Sequence, residues 1–266
     1  MDFSPLWISL KTSFIAVAAV FFIGIFAAWR VSKANRFKGL ADGIFTLPMI
    51  MPPTVAGFFL LLIFGKNGAV GKFLSFFDIS VVFSFSATVI SSAVAAFPLM
   101  YRTSRGAFEQ LDKNLIYAAR TLGMSERKIF FKIVLPNSSA SVGAGVILSF
   151  ARALGEFGST IMFAGNIPGK TQTVSIAVYS AVQSGDRESA YKWVMIMLAI
   201  SFLSITLMNS FEKHGMKFIK KPFGGDEKWG FTLISRKISA ILALKFHLKR
   251  EGKHLESSAL PEAEKA

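Results

Sequence analysis

Long apolar runs alternate with shorter polar stretches along most of the chain. Five runs each exceed the roughly 18 apolar-rich residues needed to cross a bilayer. They predict spanning helices at about 5–29, 40–64, 80–101, 138–164 and 192–211. The stretch 173–184, TVSIAVYSAVQS, is too short to span and predicts an interfacial or re-entrant helix. The run from Thr12 to Trp29 has no small-residue cleavage site before Arg30, so it reads as a retained helix rather than a signal peptide. The second run contains LPMIMPPTVAG, with Pro48, Pro52 and Pro53. Each proline removes an N–H and crowds the preceding turn. The run should therefore kink, or break beside a polar path.

Composition agrees with an all-α integral membrane protein. Hydrophobic residues make up 52% of the chain and charged residues only 17%, well below the quarter usual in soluble domains. There is no cysteine, which excludes disulfides and thiolate metal sites. His214, His247 and His254 all follow the last apolar run, so no histidine-based metal or catalytic site is expected in the spans.

The net charge of +14 is concentrated between the runs, which favours membrane orientation over nucleic-acid binding. The first loop carries Arg30, Lys33, Arg36 and Lys38 and no acid. The third, 102–137, sets seven basic residues against Glu109, Asp112 and Glu126. The loops at 65–79 and 165–190 are near neutral. The first and third loops and the tail are thus expected in the cytoplasm and the N-terminus outside. Asp42, close to the membrane edge, reads as a solvated helix-start residue.

The third loop is patterned: YAARTLGMSERKIFFKIVLP. Leu115, Ala118, Ala119 and Leu122 share a helical face. Gly123 then suits a left-handed helix stop. Ser125 can cap a second helix striped by Ile129, Ile133 and Val134, and Pro136 is expected to end it. Two short helices at an angle follow, either an inert hairpin or a docking device.

Arg152 and Glu156 lie four apart inside an otherwise small or apolar run. A lone charge there costs at least about 2.5 kcal/mol, which pairing reduces. Two compatible readings stand: an internal clamp between helices, or the lining of an anion path, with Arg152 offering planar donors and Glu156 orienting it. Ser141, Gly145 and Ser149 form a small-residue face that suits close helix packing. The outer turn GNIPGKTQT, with Asn166, Pro168, Gly169, Lys170 and Thr171, could line an entrance or meet an external partner; it could equally be a plain polar turn. Residues 216–266 read as a basic cytoplasmic tail, either an amphipathic helix within WGFTLISRKISAILALKFHLKR or disordered chain, with a disordered end.

Tyr117-Ala118-Ala119, then Gly123, then Ile133 and Leu135-Pro136 resemble the signature loop of binding-protein-dependent ABC importer permeases. Tyr117 stands where the family pattern has Glu. LPMIMPPTVAG, AAFPLMYR, FARALGEFGSTIMFAGNIPGKTQT and AVYSAVQSGD are similar to the molybdate-type branch; sulfate/thiosulfate permeases, which share ARALGE, are the nearest rivals.

The resemblance implies a type I permease bundle working as a homodimer in the cytoplasmic membrane of a prokaryote. It implies cytoplasmic ATPase subunits docked on the third loop and an external molybdate-binding protein. Tungstate is nearly isosteric with molybdate. No G-x-x-x-x-G-K-[ST] loop occurs here, so ATP and Mg are expected on the partner ATPase and no cofactor on this chain. The rival classes are a secondary transporter or channel, which would work without an ATPase, and a membrane enzyme, which would need clustered catalytic groups.

Overall fold

The computed structural model describes residues 2–34 and 37–219. Among the described residues every regular element is a helix: α1 (Ser4–Ser32), α2 (Lys38–Ile50), α3 (Pro53–Phe64), α4 (Ala69–Ser75), α5 (Phe85–Glu109), α6 (Lys113–Thr121), α7 (Glu126–Ile129), a π-helical turn (Phe130–Val134), α8 (Leu135–Asn137), α9 (Ser139–Leu154), α10 (Gly158–Ala164), α11 (Val174–Gln183) and α12 (Arg187–Ile219).

The apolar runs become helices, but two of the five are not continuous. Among the described residues, only Ser4–Ser32 and Arg187–Leu207 are each long and apolar enough to cross alone. The run at 40–64 divides into α2 and α3, with a bend of 111° between them. Met51 and Pro52 each precede a proline and are extended, with ψ of 141° and 135°, the conformation that position favours. Pro48 is accommodated inside α2; Pro52 and Pro53 make the break and start α3. The run at 138–164 divides into α9 and α10, with Gly155, Glu156 and Phe157 between them. The chain also turns by 74° where Glu126–Asn137 meets α9.

α1 and α5 form the centre, with α9 packed across both. α5 is less apolar than a lipid-facing span because it buries Thr88, Ser91, Ser92 and Ser104. Two of these hydroxyls, Thr88 and Ser92, bond to neighbouring helices, whereas Ser91 and Ser104 are buried without a hydrogen-bond partner among the described residues. Thr12 of α1 shares a hydrogen bond with Thr88 at 2.9 Å. Ser92 donates to the Ala153 carbonyl at 3.3 Å and Ser149 to the Ala96 carbonyl at 3.4 Å. Of the small-residue face on α9, Gly145 and Ser149 are buried against α5, whereas Ser141 is exposed.

The short apolar run forms α11, whose start is tied to α1 by the Val174 N–H donating to Ser9 Oγ at 2.8 Å. α12 packs on α11 and α9, with Trp193 against Val174 and Ala177. Its backbone passes through residue 215 without interruption. The amphipathic reading of the tail from Trp229 onward lies outside the described residues.

Candidate functional site

The two broken runs meet at their breaks. α3 and α10 start side by side: a Cβ on Gly158 would lie 2.7 Å from Pro53 Cβ. Further along, a Cβ on Gly57 would lie 2.8 Å from the Ser159 Cα, so the backbones touch. The rings of Phe64 and Phe163 then stack obliquely with centroids 5.6 Å apart. The two half-helices thus run parallel from a common level, an arrangement that glycine at 57 and 158 makes possible.

The charged pair sits at this junction rather than in mid-helix. Arg152 is in the last turn of α9, while Glu156 lies beyond its end, in the linker before α10. The Arg152 Nη1–Glu156 Oε2 distance is 2.6 Å. The other Glu156 oxygen accepts from the Ser159 N–H at 2.9 Å and from Ser159 Oγ at 2.7 Å. Glu156 therefore caps the start of α10 while holding Arg152, and its burial is offset by three donors. Its side chain is 1% exposed and that of Arg152 is 36% exposed. The pair is a clamp with one open side: Arg152 keeps further N–H donors facing away from its partner. The capping role was readable from Glu156 and Ser159 three apart beside Gly155, a signal the even i,i+4 spacing of the pair obscures.

The third loop forms the expected angled hairpin. α6 ends at Leu122 in a left-handed stop: Gly123 has φ of +76°, its N–H donates to the Arg120 carbonyl at 2.9 Å, and the Met124 N–H reaches the Ala119 carbonyl at 3.1 Å. Asp112 caps the start of α6 through the Asn114 N–H at 2.9 Å. Ser125 is the first residue before α7, but its side chain makes no capping bond, contrary to expectation. Pro136 does not end the second helix either. The preceding turn widens to π geometry, which relieves the clash a proline makes with the carbonyl four residues back. The chain turns at Ser138 instead.

Burial divides the α6 face. Ala119 turns inward with the core around Ile129 and Val134, and Ile133 and Leu135 pack against that core. Leu115, Tyr117, Ala118 and Leu122 remain exposed, with Leu122 at 81%. An apolar surface is left on the outer side of the hairpin.

One ion pair within the hairpin and one to the first loop meet at Glu126. Glu126 accepts from Arg120 Nε at 2.7 Å and from the Lys33 ammonium. Arg120 first, then Lys33, holds its carboxyl down at about 2. A second network was not foreseen. Asp42 lies one turn into α2 and is not a free solvated residue: it accepts from Tyr101 Oη at 2.5 Å and from Arg105. Arg105 also binds Glu109 at 2.7 Å, and Glu109 binds Lys38 at 2.9 Å. Asp42 is the one acid in the run 40–64, and Tyr101 and Arg105 are four apart, which is the pattern that could have revealed it.

The outer turn is self-braced. Buried Thr171 accepts the Ile167 N–H at 3.0 Å and reaches the Gly165 carbonyl at 3.4 Å. Asn166 donates to Ser180 Oγ at 2.7 Å and accepts from Gln172 at 3.0 Å. Gly169 takes the left-handed φ of +72°. Pro168, Gly169 and Lys170 are exposed, so Thr171 and Asn166 shape the turn and Lys170 is its outward charge.

Broken helices that meet at their starts, a clamped arginine with an open side and an exposed angled hairpin suit a membrane permease. Residues 20–213 match the family described as binding-protein-dependent transport system inner membrane component, and the chain belongs to that family. It is 42% identical over 214 residues to the putative molybdenum transport system permease protein YvgM of Bacillus subtilis (strain 168), covering 80% of this chain and 94% of that one. It is 40% identical to the molybdenum transport system permease protein ModB of Haemophilus influenzae, covering 82% and 96%. The sulfate transport system permease protein CysT of Salmonella typhimurium is 35% identical, covering 77% and 74%.

Among solved structures, the inward-facing MetNI methionine ABC transporter aligns with a TM-score of 0.63 at 15% identity, covering 79% of this chain and 94% of that one. That likeness supports the ABC-permease fold. The family is a non-enzymatic membrane component of a transport system, and ATP hydrolysis belongs to a separate subunit.

Proposed function

We propose that this chain is the transmembrane subunit of an ATP-driven importer that moves molybdate, and its near-isostere tungstate, into the cytoplasm. One observation carries the cargo assignment: identity is 39–42% to three relatives named molybdenum permeases, against 35% to a sulfate permease. The geometry supports an oxyanion cargo. Arg152 offers planar donors on its open side, and Glu156 tempers the positive charge so that the anion is passed on rather than trapped.

In this reading the chain crosses the membrane five times. α2 with α3 and α9 with α10 each make one broken crossing, the N-terminus lies outside and the tail lies in the cytoplasm. The basic first and third loops support that orientation. The permease region is 1–215, followed by the basic tail. Two copies pair, and the exposed face of Leu115, Ala118 and Leu122 receives the ATPase, which binds ATP and Mg. An external molybdate-binding protein delivers cargo near the turn bearing Lys170. ATPase closure moves the hairpin, and the π-widened helix passes that motion to α9 and so to Arg152.

The test is uptake by proteoliposomes holding this chain, its ATPase and the binding protein. Molybdate uptake should require ATP and resist a hundredfold excess of sulfate, a ratio set by roughly 3 kcal/mol of discrimination. Sulfate uptake at equal rate would assign the sulfate branch. Uptake without the ATPase would indicate a secondary transporter or channel.

A further inference from the structure

An apolar groove of about 490 Å³ runs along the cytoplasmic-loop half of α1. Phe22 and Phe26 form one wall; Phe130, Phe131 and Leu135, on and after the π turn, form the other. Phe22, Phe26 and Phe131 are 58–71% exposed, so the groove opens outward. From Phe22 to Arg30 it follows eight residues, about 12 Å of helix.

Two cations close its polar end, Arg30 on α1 and Arg127 on α7. Arg30 lies over the Phe26 ring at 4.7 Å from its centroid. Neither arginine has an acidic partner among the described residues. Glu126 also borders the groove, but Lys33 and Arg120 already hold its carboxylate, so it leaves the two arginines uncompensated.

We infer that this groove is a site for an anionic phospholipid of the inner leaflet. Its acyl chain would lie along Phe22, Phe26 and Phe131, and its phosphodiester would sit between Arg30 and Arg127. The occupant follows from the order of the lining. Apolar walls give way to cations at the end of the span, which is the order of chain and headgroup in a lipid. The apolar walls of Phe22, Phe26, Phe130, Phe131 and Leu135 suit an alkyl chain, and a free inorganic anion would use only the end with the arginines. The orientation is the one proposed above, and the assignment rests on it. The lipid would bridge α1 and the docking hairpin, so it would brace the element that receives the ATPase.

The full chain, purified in mild detergent, can be examined by native mass spectrometry after addition of phosphatidylglycerol, phosphatidylethanolamine or soluble glycerophosphoglycerol. Wild type should retain one phosphatidylglycerol per chain, with little phosphatidylethanolamine. Arg30→Gln with Arg127→Gln should lower that retention by about tenfold. Phe22→Ala with Phe131→Ala should lower it too, at unchanged charge and with exposed positions that leave the fold intact.

Lys66→Gln with Lys72→Gln, in the second loop, should leave retention unchanged. Equal retention of the two lipids would overturn the proposal, as would undiminished retention in the arginine variant. Competition by the soluble headgroup as strong as by intact lipid would also overturn it, by showing an anion site without a groove. Molybdate uptake by wild type in the same preparation tests the transport reading separately.

Discussion

Gly57 on α3 lies against Ser159 on α10 so closely that a Cβ would approach the Ser159 carbonyl oxygen to 2.9 Å and Met162 Cβ to 2.8 Å. This contact holds the two half-helices together just beyond their breaks. Neither backbone can retreat, because Pro53 and Gly158 touch one turn earlier. Replacing Gly57 by Ala improves helix propensity but overfills the contact, at a cost of about 1–3 kcal/mol. Gly43 on α2 has no atom within 4 Å of an added Cβ. Gly43→Ala should therefore raise the thermal midpoint in detergent slightly, while Gly57→Ala lowers it and reduces uptake. Shifts of the same sign in both would remove the case for a tight α3–α10 contact.

The clamp at the second break makes an asymmetric prediction. Arg152→Ala strands a buried carboxylate with only the Ser159 donors, a loss of about 3–5 kcal/mol for a buried pair. Glu156→Gln keeps an oxygen to cap α10 and leaves Arg152 half-exposed to water, so it should cost less. The double variant should recover folded yield relative to Arg152→Ala alone, with a coupling that a double-mutant cycle measures. Uptake should stay low in the double variant if Arg152 touches the cargo. Recovered yield with normal uptake would leave the pair a clamp and nothing more.

The hairpin was legible because its chemistry is local. A glycine after a helical stripe can be assigned a left-handed stop from sequence, and Gly123 takes it. The breaks were only half legible. Pro52 and Pro53 mark one plainly, but the other falls at Gly155–Phe157 without a proline, where a buried carboxylate replaces the missing helical partner. An i,i+4 charge pair looks the same along a continuous helix as it does across its end. Pro136 misled in the opposite direction, since a wider turn can absorb a proline that a regular α-helix cannot. Asp42 was misplaced because its partners, Tyr101 and Arg105, lie about sixty residues away, so the lone acid of one run and the four-apart pair of another reveal the contact only when read together.

The tie between the first loop and the hairpin should depend on pH. The Glu126 carboxyl titrates at about 2 against an ordinary 4.5, so its contribution is present above about 4.5 and is lost as pH falls toward 2. Its side chain is 49% exposed, so the effect is that of a surface pair and modest. The thermal midpoint of the purified chain should be level from pH 7 to 5.5 as far as this group is concerned. Below 4.5, wild type should lose stability relative to Glu126→Gln, and the two curves should converge. Parallel curves down to pH 3 would mean the pairs contribute nothing in solution.

The sharpest test of the docking face separates its turn from its surface. Gly123 holds φ at +76°, and an added Cβ there meets nothing within 4 Å. Gly123→Val thus acts through backbone strain alone, about 1–3 kcal/mol held locally, and should turn α7 away from α6. Leu122→Asp leaves the turn intact and places a charge on the most exposed apolar side chain of the face. Both should insert and fold, because neither touches the core. Both should bind the ATPase at least tenfold more weakly, which corresponds to about 1.4 kcal/mol. Both should also lose the stimulation of ATP hydrolysis by loaded binding protein. Leu111→Asp, on the inward side, should instead reduce folded yield, since Leu111 packs on the core cluster that includes Ile129 and Val134. If Gly123→Val uncouples while Leu122→Asp does not, the angle between the helices matters and the exposed face does not. Normal coupling in both would move the ATPase contact away from this hairpin altogether.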